Sequence, residues 1–158
     1  MKKCLLSVLL WSFSFTGYTQ QISVSELLMF CNQDSQTTND YLVAKGWIFD
    51  GVGKAHPTLQ AAGHWKFKKP GNYPDGVAAS ILVSDKRNGK RQALYFTVVK
   101  PYHDALKKQI IAACTKISSS SDDNCLNSQY SAATFGCRIG VCKWSDSPFI
   151  AYTVTISR

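Results

Sequence analysis

Between Arg91 and Ile117 the chain reads RQALYFTVVKPYHDALKKQIIAACTKI, and the two halves of that stretch have different periods. Leu94, Phe96 and Val98 alternate with Tyr95, Thr97 and Val99, the period of two expected of a strand rich in aromatic and β-branched residues. Both faces are largely apolar, which suits an inner strand covered on at least one side. Pro101 fits the first turn of a helix, where its missing N–H is not needed. Tyr102, Leu106, Ile110 and Ala113 then recur at helical spacing with Ile117 in line, while Lys107 and Lys108 fall on the opposite, wet face. The stretch predicts a core strand feeding an amphipathic helix, and the other elements are placed from it.

The preceding strand is tied to it by Asn88-Gly89, a strong hairpin signal between two apolar runs. A two-residue loop there sets Val83 opposite Leu94 and Ile81 opposite Phe96. Ile81, Val83, Leu94, Phe96 and Val98 are then expected to share the face that helices cover.

Toward the N-terminus, Ser23 followed by Glu26 has the spacing of a capping box, and Val24, Leu27, Leu28 and Cys31 continue it as one helical face. The polar run Asn32 to Asp40 interrupts that face before Tyr41 and Leu42 restore it, so one long or broken helix is expected from about Val24 to Lys45, ended at Gly46. Trp47, Ile48 and Phe49 begin a first strand; residues 50–63, with glycines and Pro57, read as a loop free to carry function. His64 to Lys68 alternates as a half-exposed strand, and residues 69–76 are dense in turn formers before a strand from Val77 to Asp85. Beyond the central helix, Ser118 to Asp123 reads as a polar loop, Tyr130 to Trp144 as a strand or irregular hairpin, and Phe149 to Ser157 as a final strand. The class is α+β: a mostly antiparallel sheet of about five or six strands, a four-strand meander plus one or two at the C-terminus, with two helices packed on one face. No internal repeat is legible.

Residues 1–20 have the pattern of a secretory signal peptide: Lys2 and Lys3, an apolar run from Leu5 to Phe15, then Gly17 and Thr19 before Gln20. A membrane-crossing helix needs about 20 apolar residues, and this run is shorter. Cleavage near Thr19 or Gln20 is expected to release one domain, residues 21–158, to the periplasm or the medium. The formal charge of +8 becomes +6 once Lys2 and Lys3 leave, an excess that draws acidic partners without defining a site.

Six cysteines less Cys4 leave Cys31, Cys114, Cys125, Cys137 and Cys142, and export makes disulfides their default state. The expected bridges are Cys114 with Cys125, stapling the central helix to the polar loop, and Cys137 with Cys142. The second requires a turn at Gly140, because a straight strand rising about 3.3 Å per residue holds those sulfurs too far apart. Cys31 and Cys114 both lie on apolar stripes, which suits buried core positions.

Catalytic signatures are not found. Five thiols with His56, His64 and His103 supply the raw material of a cysteine nucleophile, but no local motif joins them. Cys137 and Cys142 stand at the loose end of zinc spacing without a second close pair. The acidic residues are used elsewhere: Glu26 in a cap, Asp50, Asp75 and Asp85 beside turns, Asp122 and Asp123 in the polar loop. Gly51-Val-Gly53 is only a fragment of a phosphate-binding loop. No catalytic residue, metal ligand or cofactor is expected.

The basic residues carry the remaining signal. Lys66, Lys68 and Lys69 lie on or after one strand, and Lys86, Arg87, Lys90 and Arg91 crowd the hairpin tip. Brought together they form a positive edge with Trp65, Phe67 and Tyr73 nearby, suited to an anionic polysaccharide, a lipid headgroup or an acidic protein. Nucleic acid answers the same charge, but export argues against it. The bland alternative is that such charges keep a sheet edge soluble and block edge-to-edge pairing. The functional expectation is an exported, non-enzymatic binding module, with a small secreted hydrolase or thiol enzyme assembled from distant residues as the alternative.

Overall fold

The computed structural model describes residues 21–53, 62–69, 71–85, 91–122, 124–143 and 148–158. Two helices, α1 (Val24–Asn32) and α2 (Ser35–Ala44), lead into strands β1 (Ile48–Gly53), β2 (Ala62–Lys68), β3 (Val77–Asp85) and β4 (Arg91–Thr97). Helix α3 (Lys100–Ala113) then precedes β5 (Thr115–Ser121), β6 (Cys125–Ser131), β7 (Gly136–Lys143) and β8 (Ile150–Ser157). The strands form one sheet in the order β1-β2-β3-β4-β8-β7-β6-β5, and every neighbouring pair is antiparallel. Each half is thus a helical segment followed by a four-strand meander, and the last strands of the two meanders pair at the centre of the sheet. That duplication lies in the topology; the residues do not repeat.

The local signals account for the helices. Ser23 and Glu26 form the expected capping box, Glu26 N–H donating to Ser23 Oγ at 3.2 Å and Ser23 N–H to Glu26 Oε2 at 2.7 Å. The polar run breaks the helix outright: Asp34 accepts from Thr37 N–H at 2.8 Å and starts α2 as a new N-cap. Pro101 sits in the first turn of α3. The chain turns out of β4 through Thr97, whose hydroxyl donates to the Ala78 carbonyl at 2.8 Å and accepts from Val99 N–H at 3.0 Å.

Three of the sequence expectations need correction. Among the described residues the sheet has eight strands rather than five or six, because Ser118 to Ser121, expected in a polar loop, belong to β5, which pairs with β6. Every residue of β5 is exposed, and a strand with no buried face has no hydrophobic period to read. Helix α3 accordingly ends at Ala113, and Ile117 stands on β5, 64% exposed, rather than on the helix stripe.

The second correction concerns register. Ile81 stands opposite Tyr95, Leu82 opposite Leu94 and Val83 opposite Ala93, one residue away from the two-residue-loop pairing. Residues 86–90, which lie outside the described residues, separate the last pair, Asp85 and Arg91. The slip moves Leu94 and Phe96, both half-buried, to the other face of the sheet. The core face instead carries a cross-strand row, Trp65, Ile81, Tyr95, Val154 and Ile139, running through β2, β3, β4, β8 and β7. All five are buried, in one hydrophobic cluster with Leu27 and Phe30 of α1 and Leu106 and Ile110 of α3. Helix α1 lies against β4 and β8, α3 against β8, β4 and α1, and α2 against β1. Each large apolar side chain removed from water in this way contributes about 1.5–3 kcal/mol.

The third correction is the disulfide pairing. Cys125 and Cys142 stand directly opposite across β6 and β7, with Cα atoms 4.1 Å apart, and are bonded to each other. Strand β7 runs through Gly140 without a turn, so Cys137 and Cys142 stay apart on one extended segment. Cys114 lacks Cys125 as a partner for the same reason: that sulfur is taken.

Candidate functional site

At the β1 end of the sheet, β2 alternates Gly63, Trp65 and Phe67 on the core face with His64, Lys66 and Lys68 on the other. Gly63 has no side chain, and the Trp65 ring occupies the space above it: a Cβ there would lie 2.5 Å from Trp65 Cη2. Trp65 is 1% exposed and its indole N–H donates to Asn39 Oδ1 of α2 at 3.1 Å. Across the β1–β2 pair, Phe49 faces Trp65 with ring centroids 5.4 Å apart.

A bulge between Phe49 and Gly51, with Gly51 at φ 104°, lets β1 change course at Asp50. The Asp50 carboxylate reaches Lys66 Nζ at 2.7 Å and His64 Nδ1 at 3.1 Å. The Lys66 ammonium holds the Asp50 carboxyl below its ordinary value. Burial lowers the His64 pKa from its ordinary 6.5, although Asp50 pulls the other way.

These elements enclose a cleft of about 300 Å³, at the small end of ligand pockets, which run from about 300 to 1,000 Å³. Its apolar side is Phe49, Val52, Trp65 and Val83; its polar wall is Ser35, Gln36 and Asn39 from α2, with Ser84 and Arg91 from the β3–β4 end. Phe49 is 46% and Val52 67% exposed, large apolar groups left in solvent at the mouth. Arg91 donates through its guanidinium to the Gln33 carbonyl in the link between α1 and α2, which fixes the cation at the cleft wall. The arrangement offers an apolar shelf, amide and hydroxyl groups, and one positioned cation.

Of the residues singled out in the sequence, the structure brings Trp65 and Arg91 together here. Lys66 and Lys68 lie on the opposite face of β2 from Trp65, and Lys66 is engaged by Asp50. Tyr73 is half-buried against the core, its ring over Gly71. Lys69 stands 5.7 Å from the Tyr102 ring centroid. Lys86, Arg87, Lys90 and His56 lie outside the described residues. Val52 falls in the 50–63 stretch expected as a functional loop, though residues 50–53 belong to β1; Phe49, Gln36 and Asn39 were not expected in a site, and they meet because α2 lies on β1.

A shallower polar depression of about 390 Å³ lies between β4 and β6, lined by Gln92, Gln129, Arg138 and Thr155. Among the described residues, no group of three or more His, Cys, Asp or Glu side chains is placed to hold a metal ion. No helix among them is long and apolar enough to cross a membrane.

Fold and cleft together define an α+β protein built on one eight-stranded antiparallel sheet, with a pocket of small-ligand size beside its first strand. Compared with protein-family models, curated proteins and solved structures, the chain matches none.

Proposed function

We propose that this protein is an exported, non-enzymatic binding module that takes an acidic sugar ring of an anionic polysaccharide into the cleft beside Trp65. The observation that carries the reading is the solvent-exposed Phe49 and Val52 shelf set next to the Arg91 guanidinium and the α2 amides. A pyranose ring lays its C–H face on Phe49, its hydroxyls reach Gln36 and Asn39, and its carboxylate pairs with Arg91. A charge-assisted contact of that kind contributes about 1.5–3 kcal/mol, and the surplus of Lys and Arg over Asp and Glu raises the encounter rate with a polyanion.

The test is calorimetric titration of the processed protein with oligogalacturonate, against a neutral oligosaccharide of the same length and against Phe49→Ala. The expected result is preference for the charged oligomer and about a tenfold weakening in Phe49→Ala, equal to about 1.4 kcal/mol, at a temperature where circular dichroism shows the variant folded. Equal binding by wild type and variant, or no binding of the uronate, overturns the proposal.

A further inference from the structure

Strand β7 presents two unlike faces. Cys137 and Ile139 belong to the hydrophobic cluster beneath the helices, while Gly136, Arg138 and Gly140 alternate on the face turned away from them. The register makes β8 and β6 the walls of a trough along that face: Ser157 and Ser131 flank Gly136, Thr155 and Gln129 flank Arg138, and Thr153 and Asn127 flank Gly140. At Gly140 the walls meet, since a Cβ there would lie 2.4 Å from Thr153 Oγ1 and 3.1 Å from Asn127 Oδ1. At Gly136 they stay apart; among the described residues the nearest atom to a Cβ would be Ser157 Oγ, at 3.5 Å. The trough therefore opens into a bowl of about 390 Å³ over Gly136, with Gln92 of β4 beyond Ser157 at its rim.

The bowl is lined by one cation and neutral donors. Arg138 is exposed, and among the described residues no acidic side chain lines the bowl and no ion pair engages Arg138. Lys45, Lys66 and Lys100, by contrast, are each held by a carboxylate. Thr155 and Ser157 on one wall and Gln129 on the other add hydroxyl and carboxamide donors.

We propose that this bowl binds a tetrahedral oxyanion, the phosphate or sulfate group of an ester. The Arg138 fork donates two parallel hydrogen bonds to such a group. A planar carboxylate is satisfied by that fork, whereas a tetrahedral group has further oxygens that project toward both walls. Gly136 leaves the room, because a side chain there would stand where the anion sits. The bowl lies on the opposite face of the sheet from the cleft beside Trp65 and shares no residue with it.

The test is titration of the whole processed chain with inorganic phosphate, with sulfate and with acetate, at neutral pH and constant ionic strength, followed by amide and arginine Nε–H resonances. The expected result is saturable shifts at Gly136, Arg138 and Thr155, with the tetrahedral anions bound about tenfold more tightly than acetate, the worth of about one charge-assisted hydrogen bond. Whichever of phosphate and sulfate binds more tightly names the ester class. Arg138→Ala is expected to weaken binding about tenfold or more, and so is Gly136→Val, which fills the bowl and keeps the cation. Lys108→Ala, one surface charge fewer on α3, leaves the affinity unchanged. Equal affinity for acetate, wild-type affinity in Arg138→Ala or Gly136→Val, an equal loss in Lys108→Ala, or non-saturating shifts spread over the surface lysines overturns the proposal.

Discussion

Gly63→Ala isolates the contact on which the cleft is built. The new methyl group would stand 2.5 Å from Trp65 Cη2 and 2.8 Å from Cζ3, distances at which the indole has to move. Trp65 is held by Phe49 on one side and by the bond to Asn39 on the other, so movement costs more than a rotamer change. Overpacking of a buried site costs about 1–3 kcal/mol, and loss of the indole hydrogen bond adds about 0.5–1.5 kcal/mol. Replacing glycine by alanine in an extended strand returns about 0.4–1 kcal/mol through the unfolded chain. The net expectation is a loss of about 2–3 kcal/mol, which for a domain of this size lowers the thermal midpoint by about 5–10 °C. Gly53→Ala on the neighbouring strand is the control, since among the described residues its Cβ would meet the Ala62 carbonyl oxygen alone, at 3.7 Å. Thermal unfolding followed by circular dichroism, with tryptophan emission recorded on the folded state, compares the three proteins. A Gly63→Ala midpoint within about 2 °C of both wild type and Gly53→Ala, with unchanged emission, refutes the packing argument.

Two further perturbations follow from the charge environment. His103 is buried against Tyr152, its ring centroid 4.7 Å away, and its Nε2 has no hydrogen-bond partner among the described residues. Burial lowers its pKa below the ordinary 6.5; Asp104 opposes that, and Lys107 and Lys100 reinforce it. The unfolded chain therefore takes up a proton that the folded chain refuses. Stability is level above about pH 6.5 and falls on acidification toward the folded value, by at most about 1.4 kcal/mol per pH unit. His103→Phe is expected to flatten that part of the stability–pH profile, and an unchanged profile contradicts the assignment. Glu26 joins the two N-terminal helices, accepting from Ser23, from the Tyr41 hydroxyl and from the Lys45 ammonium. Burial raises its pKa, but the hydrogen bonds from Lys45, Ser23 and Tyr41 outweigh that and hold it below 4.5. Glu26→Gln is expected to cost about 1–2 kcal/mol near neutral pH. Because a depressed carboxyl stabilises only while ionised, the difference from wild type disappears as pH falls through the folded value; denaturant titrations at neutral and acid pH measure both.

The strand–helix unit from Arg91 to Ala113 was legible because each half carries its own period within a dozen residues. Its register was not, because both faces of β4 are apolar: Leu94 and Phe96 compete with Tyr95, and Trp65 on β2 and Val154 on β8 decide the matter from outside the hairpin. Strand β5, TKISSSS, has no buried face and so left no pattern. The cysteines show the same limit. Their bonding depends on which residues the sheet sets opposite each other, and Cys125 meets Cys142 only once β6 and β7 are paired. In the cleft, Trp65 and Arg91 stood out by residue type, whereas Phe49 and Asn39 became site residues through a bulge at Asp50 and the seating of α2 on β1. Neither feature is local to the residues it brings together.

Binding in the cleft is read residue by residue from the response of backbone and indole amide resonances to added oligogalacturonate. The Trp65 indole N–H, bonded to Asn39 at the floor of the cleft, is expected to shift together with the amides of Gln36, Phe49 and Val52 and to saturate with them. Perturbations confined to the other face of the sheet, around Lys66, Lys68 and Arg138, with the Trp65 indole unmoved, would contradict it.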